Sequence, residues 1–431
     1  MFKLEAHNAS SLVEISAGLT TFFAMVYVLT VNPIIVSQAG MPQAALFTAT
    51  ALGVIVATLV MAFVANLPFA VAPGMGLNAF FVVVVTQMGF SWQEALTAVL
   101  ISGLAFVALS VSPLREKVLR DVPKALQHGV CGGIGLMIGY IGLYNSGLIN
   151  LNPQTGPGLG DISSGPAMLA LIGLLITGLL LALRVRFAIL VGIIITTIVG
   201  IPMGVTDVSG LSDGFVGAPP AVGEIMFRFD FSVLSSFDFW SVVLTLLFME
   251  VVDGLAGFLG LFGVMGADGD RYRHKMGRAF VADSIGVVVG GCLGLSPNTT
   301  YAESGAGVAS GGRTGLTALT VAACFFLSLF VSPLFMIVPF SAVAPALVMV
   351  GLLMLESMTK VSFKDYTEVF PAFLVLILIG LTWRISDGLA VGWIVYVFMK
   401  VMARKTKELN ATVWVVAIIF ALKMFFAARG H

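Results

Sequence analysis

Two carboxylates, Asp253 and Glu303, lie in otherwise apolar stretches of the chain, each beside a glycine-rich interruption. A carboxylate at membrane depth is costly unless it faces a partner or a water-filled cavity, so each indicates a binding site. Glu250 lies three residues before Asp253, and on a helix the two side chains share a face. Because two neighbouring carboxylates in a low dielectric do not both ionise readily, we expect one to hold a proton. Glu250, Asp253 and Glu303 are therefore candidate proton carriers, with hydrogen bonding to a neighbouring broken helix as the alternative for the first two.

Glu303 follows a segment that cannot form one uninterrupted helix. Pro297 lacks an amide proton and its ring clashes with the preceding turn, so we expect an extended segment and then a half-helix that starts near Thr299. The free amides and positive dipole end of that half-helix suit carbonyl or anionic acceptors. The Glu303 carboxylate could accept hydrogen bonds from the ring N–H groups of a planar heterocycle, or could instead tie the half-helix to the other half of the chain. The neighbouring candidate substrate-binding residues are Thr300, Tyr301 and Ala302.

A matching interruption lies in the first half of the chain, over residues 68–81, which include Pro73, Gly74 and Gly76. Broken helices in corresponding positions of two halves are typical of the binding site of a transporter. Asn78 lies in this interruption and offers both hydrogen-bond donors and acceptors. We expect Asn78 either to contact a substrate or to bridge the two halves.

Other polar or aromatic side chains in apolar segments are weaker candidates. Thr21 offers a hydroxyl in the first span, and Phe23 and Tyr27 offer stacking faces, with ordinary packing as the alternative. Asp283 is expected close to the cytoplasmic end of its span, in a solvated or capping role.

Composition determines the class of protein. The chain has 431 residues, of which 58% are hydrophobic and 10% are charged, and its mean hydropathy is +1.04. Apolar segments long enough to cross a bilayer follow one another almost end to end, so the predicted fold class is an all-α polytopic membrane protein. We predict about fourteen segments, at residues 14–38, 44–66, 70–88, 92–111, 124–148, 165–183, 186–204, 236–264, 277–294, 297–311, 315–333, 342–357, 368–383 and 386–403. The third and tenth are the broken ones, with short strands and half-helices, and the odd number in each half gives two inverted seven-segment repeats.

Basic clusters indicate the orientation. They follow the even-numbered segments, with Arg228 and Arg384 as exceptions, so the N-terminus and these loops are predicted to be cytoplasmic. The clusters are Arg115, Lys117, Arg120 and Lys124; Arg184 and Arg186; Arg271, Arg273, Lys275 and Arg278; Arg313; Lys360 and Lys364; and Arg404, Lys405 and Lys407. The acidic stretch 205–235 is then an external loop. Residues 404–431 form a cytoplasmic linker with an extra apolar segment at 413–428, predicted as either a further span or an interfacial helix.

Several kinds of partner are not expected. A formal net charge of zero provides no basic face for nucleic acid. The three cysteines lie in or beside apolar segments without a short Cys-x-x-Cys spacing, so they are interpreted as core residues. Because the four histidines are dispersed, we expect no metal site, and no cofactor apart from a coupling ion.

Two long motifs carry a family resemblance. The runs Ala72–Phe81 and Glu303–Thr317 make the chain resemble the nucleobase cation symporters of the nucleobase and ascorbate transporter superfamily, and are most similar to the hypoxanthine, adenine and guanine permease branch. The resemblance implies that Asp253 and Glu303 are substrate-binding acids. It also implies roles for Asn78, as a polar residue of the third segment, and for Gly76 and Leu77, as part of its extended strand.

The same resemblance implies a division into domains. Segments one to four and eight to eleven would form a core domain, at residues 14–111 and 236–333. The remaining segments would form a gate domain, at residues 124–204 and 342–403.

Two stretches differ from the usual pattern of that branch. Asp253-Gly254-Leu255-Ala256-Gly257 replaces the usual Asp-Thr-Leu-Gly-Thr, so a hydroxyl and some bulk are missing beside a substrate acid. The stretch Pro297–Tyr301 is more similar to the uracil and xanthine branches. The pocket is therefore expected to be atypical of the branch.

The expected function is secondary active transport rather than catalysis. We predict proton-coupled uptake of a purine nucleobase (adenine, guanine or hypoxanthine) by alternating access, with sodium as the alternative ion and uracil, xanthine or another small heterocycle as alternative substrates. An anion carrier would need a cationic residue near the half-helices. An intramembrane aspartyl hydrolase using Asp253 would need a second catalytic Asp in a facing span, and no Tyr-Asp or Gly-x-Gly-Asp pair lies inside an apolar run. The expected location is the plasma membrane, as a bacterial inner-membrane protein surrounded by lipid, and a homodimer is left open.

Overall fold

The computed structural model describes residues 2, 4, 10–112, 123–152, 156–185, 187–209, 214–265, 272–383 and 385–429. Across these ranges the chain is mostly α-helical, and eight helical stretches are long and apolar enough to cross a membrane, by length and composition. The predicted helical class is therefore confirmed. Of the basic residues named for the orientation, those outside the described ranges are Arg115, Lys117, Arg120, Arg186, Arg271 and Arg384.

The elements are numbered along the described chain. The helices are α1 (Ser11–Met25), α2 (Val28–Val36), α3 (Gln43–Val60), α4 (Met75–Thr86), α5 (Trp92–Val111), α6 (Lys124–Asn145), α7 (Gly165–Ala182), α8 (Ala188–Gly200), α9 (Phe237–Val264), α10 (Met276–Cys292), α11 (Ser304–Ala309), α12 (Gly315–Ser328), α13 (Ser332–Met336), α14 (Phe340–Leu355), α15 (Tyr366–Thr382), α16 (Ile385–Met402) and α17 (Ala411–Arg429). The strands are β1 (Val71–Pro73), β2 (Ile149–Asn152), β3 (Gly156–Leu159) and β4 (Asn298–Thr300).

Polar caps and one glycine set several helix ends. The Ser10 hydroxyl accepts a hydrogen bond from Val13 N at the start of α1, and Ser91 and Glu94 form a capping box at the start of α5. The first span ends at Gly40, whose φ of 83° is a left-handed conformation that favours glycine. These boundaries are therefore encoded locally in the sequence.

The chain divides into two compact units, residues 1–112 with 146–346, and residues 113–145 with 347–431. In the first unit, α5 packs against α9 and α10, and α12 packs against α1 and α3. In the second unit, α15 packs along α6 and against α16, and α17 packs on α16. The predicted core and gate domains stay a prediction, because compact units need not coincide with the parts that move relative to each other.

The two broken segments meet in the first unit as a pair of antiparallel strands, β1 and β4. The register places Val71, Ala72 and Pro73 opposite Thr300, Thr299 and Asn298. Gly74 N donates to Pro297 O at 3.1 Å and Tyr301 N donates to Ala70 O at 2.9 Å, so the pairing extends beyond both ends of the ladder. Each extended segment thus satisfies backbone groups of the other, as irregular backbone inside a membrane protein requires.

The strand and half-helix predicted for each broken segment are confirmed, but the second half-helix starts later than near Thr299. Because Asn298–Thr300 pair with β1, α11 begins only at Ser304 and has 6 residues. The amides at its start already donate, at 2.9–3.1 Å, to the carbonyls of Tyr301, Ala302 and Glu303. The prediction of free amide donors at this helix start is therefore wrong.

The extra apolar segment near the C-terminus forms α17. The indole N–H of Trp393 donates to Val413 O at 3.0 Å, and Val413 is buried where α17 meets α16. Trp414 and Ile418 are exposed on α17. One face of α17 therefore packs on the second unit and another is apolar and unpacked, which leaves open both predicted roles, a span or an interfacial helix.

Candidate functional site

Glu303 lies immediately before α11, with its side chain partly exposed. The Tyr27 hydroxyl donates a hydrogen bond of 2.5 Å to Glu303 Oε1. Tyr27 is buried at a tightened turn between α1 and α2, where Leu29 N donates to Val26 O. The first span therefore supplies a direct partner for this acid, whereas the sequence suggested Tyr27 only as a stacking face.

Asp253 lies near the middle of α9 and is also partly exposed. One turn further along, a Cβ added at Gly257 would lie 3.3 Å from Thr300 O. A Cβ added at Gly305 would lie 3.7 Å from Leu261 Cδ2. Because α9 runs beside both β4 and α11, the two partly exposed acids lie on elements that pack against each other.

Two further acids of the first unit are almost completely buried, and each accepts a hydrogen bond from a hydroxyl. Glu250 Oε1 accepts from Ser102 Oγ on α5 at 2.8 Å, and Asp283 Oδ1 on α10 accepts from Thr300 Oγ1 on β4 at 2.7 Å. Glu250, Asp253 and Asp283 lie close enough to interact electrostatically. Across the described residues, no group of three or more His, Cys, Asp and Glu side chains is arranged to hold a metal ion.

The position of Asp283 corrects its predicted role. Its relative exposure is 1%, so the expectation of a solvated or capping side chain is wrong. Thr300 holds this carboxylate against β4, the strand that pairs with β1. The glycines Gly286 and Gly290 follow Asp283 at helical spacing on α10, and such small residues are the sequence signal that could have indicated close packing.

The polar groups between the two broken segments form a buried cluster. Ser296 Oγ donates to Asn78 Oδ1, so Asn78 bridges the segments, one of its two expected roles. Asn298 is fully buried, and neither of its amide atoms has a partner among the described residues. Asn298 lies in a space left by glycines, since a Cβ added at Gly53 would come within 3.3 Å of Nδ2.

The remaining candidates around the strands differ in accessibility. Gly76 and Leu77 lie in the first turn of α4 rather than in the strand. Amides in the first turn of a helix have no acceptor within the helix. The Tyr301 hydroxyl donates to Pro73 O at 3.0 Å and is buried. Ala302 is exposed beside Glu303. The site thus combines accessible carboxylates with the backbone amides in the first turn of α4.

The model of a permease family, labelled Xan_ur_permease, matches residues 12–390. The chain belongs to this family. It is a transporter rather than an enzyme, and a multi-pass membrane protein.

Curated relatives of the permease include purine nucleobase carriers. The guanine/hypoxanthine permease PbuO of Bacillus subtilis is 39% identical over 435 residues, covering 99% of this chain and 100% of the relative. The adenine permease AdeP of Escherichia coli is 36% identical over 428 residues, covering 99% of this chain and 95% of the relative. The resemblance to the purine branch of the nucleobase and ascorbate transporter superfamily is therefore confirmed.

A solved structure shares the fold of the permease at low sequence identity. The transmembrane domain of the cyanobacterial bicarbonate transporter BicA superposes with a TM-score of 0.60 at 18% identity, covering 86% of this chain and 96% of that domain. This similarity shows the architecture and says nothing about the substrate.

Two predicted residues of the first span, Thr21 and Phe23, differ in accessibility. Thr21 is fully buried, and a Cβ added at Gly307 would lie 2.1 Å from its hydroxyl oxygen. Phe23 is 46% exposed, and its ring contacts Phe22 and Phe187. A direct contact between substrate and Thr21 would therefore require α1 and α11 to separate.

The glycines that distinguish the permease from its branch lie against the site. A Cβ added at Gly254 would lie 2.9 Å from Asp283 Oδ2 and 3.4 Å from Phe280 Cε1. Because Gly254 has no side chain, Asp283 can pack against this face of α9. Sequence comparison predicted an altered neighbourhood for Asp253, but the partner that fills it belongs to another helix.

Proposed function

We propose that this permease takes up a purine nucleobase (adenine, guanine or hypoxanthine) across the plasma membrane by proton-coupled alternating access. The single observation that carries the proposal is the pair of partly exposed carboxylates, Asp253 and Glu303, on packed elements beside the paired strands β1 and β4. The names of the relatives, which are guanine/hypoxanthine and adenine permeases, support the substrate class.

The chemistry of a purine fits these groups. Glu303 and Asp253 accept hydrogen bonds from ring or exocyclic N–H groups, and the backbone amides of Gly76 and Leu77 donate to a carbonyl or ring nitrogen. Exposed Ala302 leaves space beside Glu303 for a planar ring. Thr300 and Tyr301 act from beneath this surface, by holding Asp283 and Pro73 in place.

A proton is the coupling ion in this proposal. Burial in a low dielectric disfavours the ionised form of a carboxyl group, and Glu250 and Asp283 are almost completely buried. Uptake of a proton from outside by one of Glu250, Asp253 and Glu303, while another of these acids stays ionised to accept from the base, would favour binding, and release of the base and proton inside would complete the cycle. Sodium held by backbone carbonyls is the alternative, and the test below separates the two ions.

The architecture in this proposal has fourteen segments in two inverted repeats, with the core domain moving against the gate domain. Pairing of β1 with β4 supports a pseudosymmetric relation between the halves. The N-terminus is cytoplasmic, which agrees with hydrogen bonds from Thr48 on α3 to Pro220 O and from Thr97 on α5 to Asp230 O. Both helices thereby begin on the side of the proposed external loop.

The test is uptake of labelled purines into proteoliposomes under an imposed proton or sodium gradient. Asp253→Asn and Glu303→Gln should each lower uptake at least about ten-fold, since each removes a charge-assisted hydrogen bond worth more than about 1.4 kcal/mol. Asp238→Asn is the matched control, because Asp238 is an exposed acid on the same helix. Collapse of the proton gradient should abolish accumulation.

Three results would contradict parts of this proposal. Full, pH-independent uptake by both acid variants would refute the site. Accumulation driven by sodium alone would refute the proton as coupling ion. Uptake of uracil or xanthine but not of adenine, guanine or hypoxanthine would favour a substrate of the uracil and xanthine branches, to which the stretch Pro297–Tyr301 is more similar.

A further inference from the structure

Ser102 lies between two hydrogen-bond acceptors in the interior of the first unit. Its hydroxyl oxygen is 2.8 Å from Glu250 Oε1 on α9 and 3.0 Å from Val99 O on its own helix, α5. Ser102 is 0% exposed and Glu250 is 1% exposed. Because a serine hydroxyl has one hydrogen, it cannot donate fully to both oxygens at once, but it can also accept.

The position of that hydrogen depends on whether Glu250 carries a proton. When Glu250 is ionised, the Ser102 hydroxyl donates to Oε1. When Oε1 carries a proton, its O–H donates to Ser102 Oγ, and the Ser102 hydrogen turns to Val99 O. Turning away from Val99 O costs little, because a helix carbonyl also accepts from the amide four residues later. Both protonation states therefore keep a hydrogen bond between the same two oxygen atoms, without movement of a heavy atom.

The rest of the surroundings of Glu250 oppose its ionisation. Among the described residues, Glu250 Oε2 has no hydrogen-bond partner. The charged groups that interact with Glu250 are two acids, Asp253 on the same helix and Asp283 on α10. A buried carboxylate needs donors to hold its charge. Ser102 is therefore the group that stabilises the ionised form, without which Glu250 would release its proton much less readily.

The elements packed against α9 are α4, α5, α10, α11, β4 and the turn Ser232–Ser235. Of these, α4, α11, β4 and the turn contain no ionisable side chain. The remaining charged residues lie in first turns or next to a short helix, whereas Ser102 is near the middle of α5. They are Asp238 on α9, Glu94 on α5, Arg278 on α10, and Glu303 before α11.

Exposure separates Glu250 from the acids proposed to bind substrate. Asp253 and Glu303 are partly exposed and can contact a base, whereas the Glu250 side chain is almost completely buried. Asp253 lies one helical turn from Glu250, and the two interact electrostatically through a low dielectric. A proton on Glu250 can therefore influence binding at Asp253 without any contact between Glu250 and the base.

We propose that Ser102 is a positioning residue for proton coupling, whose hydroxyl turns between Val99 O and Glu250 Oε1 and so allows the buried Glu250 to gain and release the coupling proton. This inference rests on the proposed function, because it assumes that uptake of the base is driven by protons. It assigns the proton to Glu250 and the base to Asp253 and Glu303. The hydroxyl acts through Glu250 and does not contact the base.

The experiment compares two modes of purine transport in proteoliposomes. Net proton-driven uptake requires release of the proton inside, whereas exchange of labelled for unlabelled purine at equal pH requires no net release. Ser102→Ala removes the donor to ionised Glu250, so the internal pH that gives half-maximal net uptake, at a fixed external pH, should rise by about one unit. Such a shift corresponds to a ten-fold change in the equilibrium between the two forms of Glu250. Exchange should keep the wild-type rate.

Two further variants make the comparison specific. Ser284→Ala is the matched control, because Ser284 is fully buried on α10 and donates at 3.0 Å to Val281 O, the same bond to a carbonyl three residues earlier. Its pH profile should match that of the wild type. Glu250→Gln cannot release a proton and should abolish accumulation against a gradient. Added to Glu250→Gln, Ser102→Ala should cause no further change in the pH dependence of net uptake, because the two residues act as one unit.

The outcomes separate this inference from the proposed function. If the wild type takes up no purine under a proton gradient, both fail. If wild-type uptake is proton-driven, an unchanged pH profile in Ser102→Ala, the same shift in Ser284→Ala, or an equal loss of exchange and net uptake in Ser102→Ala refutes only the role of Ser102. Full proton-driven accumulation by Glu250→Gln would refute that role even if Ser102→Ala does not fold.

Discussion

Neighbouring threonines of β4 should respond in opposite ways to the same substitution. Thr300 Oγ1 donates to Asp283 Oδ1 at 2.7 Å, and the two residues are 5% and 1% exposed. Thr299 is 7% exposed, and its hydroxyl has no partner among the described residues. Valine has nearly the shape of threonine and suits a strand, so each substitution removes a hydroxyl with little change in packing.

The size of the change in the free energy of unfolding follows from the burial of these groups. Water cannot replace the donor that Thr300→Val removes, so the free energy of unfolding should fall by about 1–3 kcal/mol, the cost of leaving a buried acceptor unsatisfied. Thr299→Val removes a hydroxyl that already lacks a partner, so the free energy of unfolding should stay equal or rise. Purine affinity should fall in Thr300→Val, because the lost bond fixes β4 relative to α10 next to Glu303.

The assay is reversible unfolding in mixed micelles of a mild detergent and dodecyl sulfate, with purine binding measured on the folded protein. An equal loss of stability in both variants would refute the reasoning, because it would show that side-chain shape rather than hydrogen bonding decides. Unchanged stability in Thr300→Val would refute it as well. Loss of stability with unchanged purine affinity would confine the bond to a structural role.

Three other predictions use contacts that can be tested separately. On α9, Gly254→Ala should destabilise the protein despite the better helix propensity of alanine, because its Cβ would lie 2.9 Å from Asp283 Oδ2. Gly260→Ala, whose Cβ would have nothing within 4 Å, should stabilise the protein by about 0.5–1 kcal/mol. Equal effects of the two substitutions in unfolding assays would contradict this prediction. The fully buried Glu14 accepts hydrogen bonds from Arg313 N, Thr314 N and Thr317 Oγ1. Glu14→Gln should therefore lower the free energy of unfolding by about 1–3 kcal/mol. An unchanged free energy of unfolding would contradict this prediction and show that the amide retains these bonds. In the second unit, the hydrogen bond that Lys405 donates at 2.6 Å, together with that from Thr367, lowers the pKa of Asp365. The resulting stabilisation is present above about pH 4 and is lost as the pH falls through the lowered pKa, so the difference in stability between the wild type and Asp365→Asn, which keeps a helix cap, should disappear in acid. A constant difference in stability across that pH range would contradict the prediction.

Several features of the fold could be predicted from the sequence because their causes are local. Apolar length and periodicity indicate spans, and Pro73 and Pro297 interrupt helices whatever surrounds them. The paired interruptions therefore appeared as extended segments followed by short helices. The position of the second helix start could not be predicted, because the pairing of Asn298–Thr300 with β1 delays it, and such a pairing involves residues more than two hundred positions apart.

The candidate site likewise has features that the sequence predicted and features that it did not. The cost of a carboxylate in an apolar stretch singled out Asp253 and Glu303 without any knowledge of their neighbours. The burial of Asp283 was missed, because it depends on Thr300 and on the space above Gly254, which lie on two other elements. The same holds for Tyr27, whose hydroxyl meets Glu303 across 276 positions of sequence.

The sequence by itself determined that this is a polytopic permease with acids at two interrupted segments, since hydropathy, proline and charge act on the chain locally. Only the tertiary structure decided which acids are accessible and which are buried, and which hydroxyl engages each of them. The physical reason is that solvation and hydrogen bonding depend on the groups that surround an atom in space. For Glu303 those groups include a tyrosine of the first span, whose buried hydroxyl donates to the carboxylate only because the two residues lie together in the folded chain.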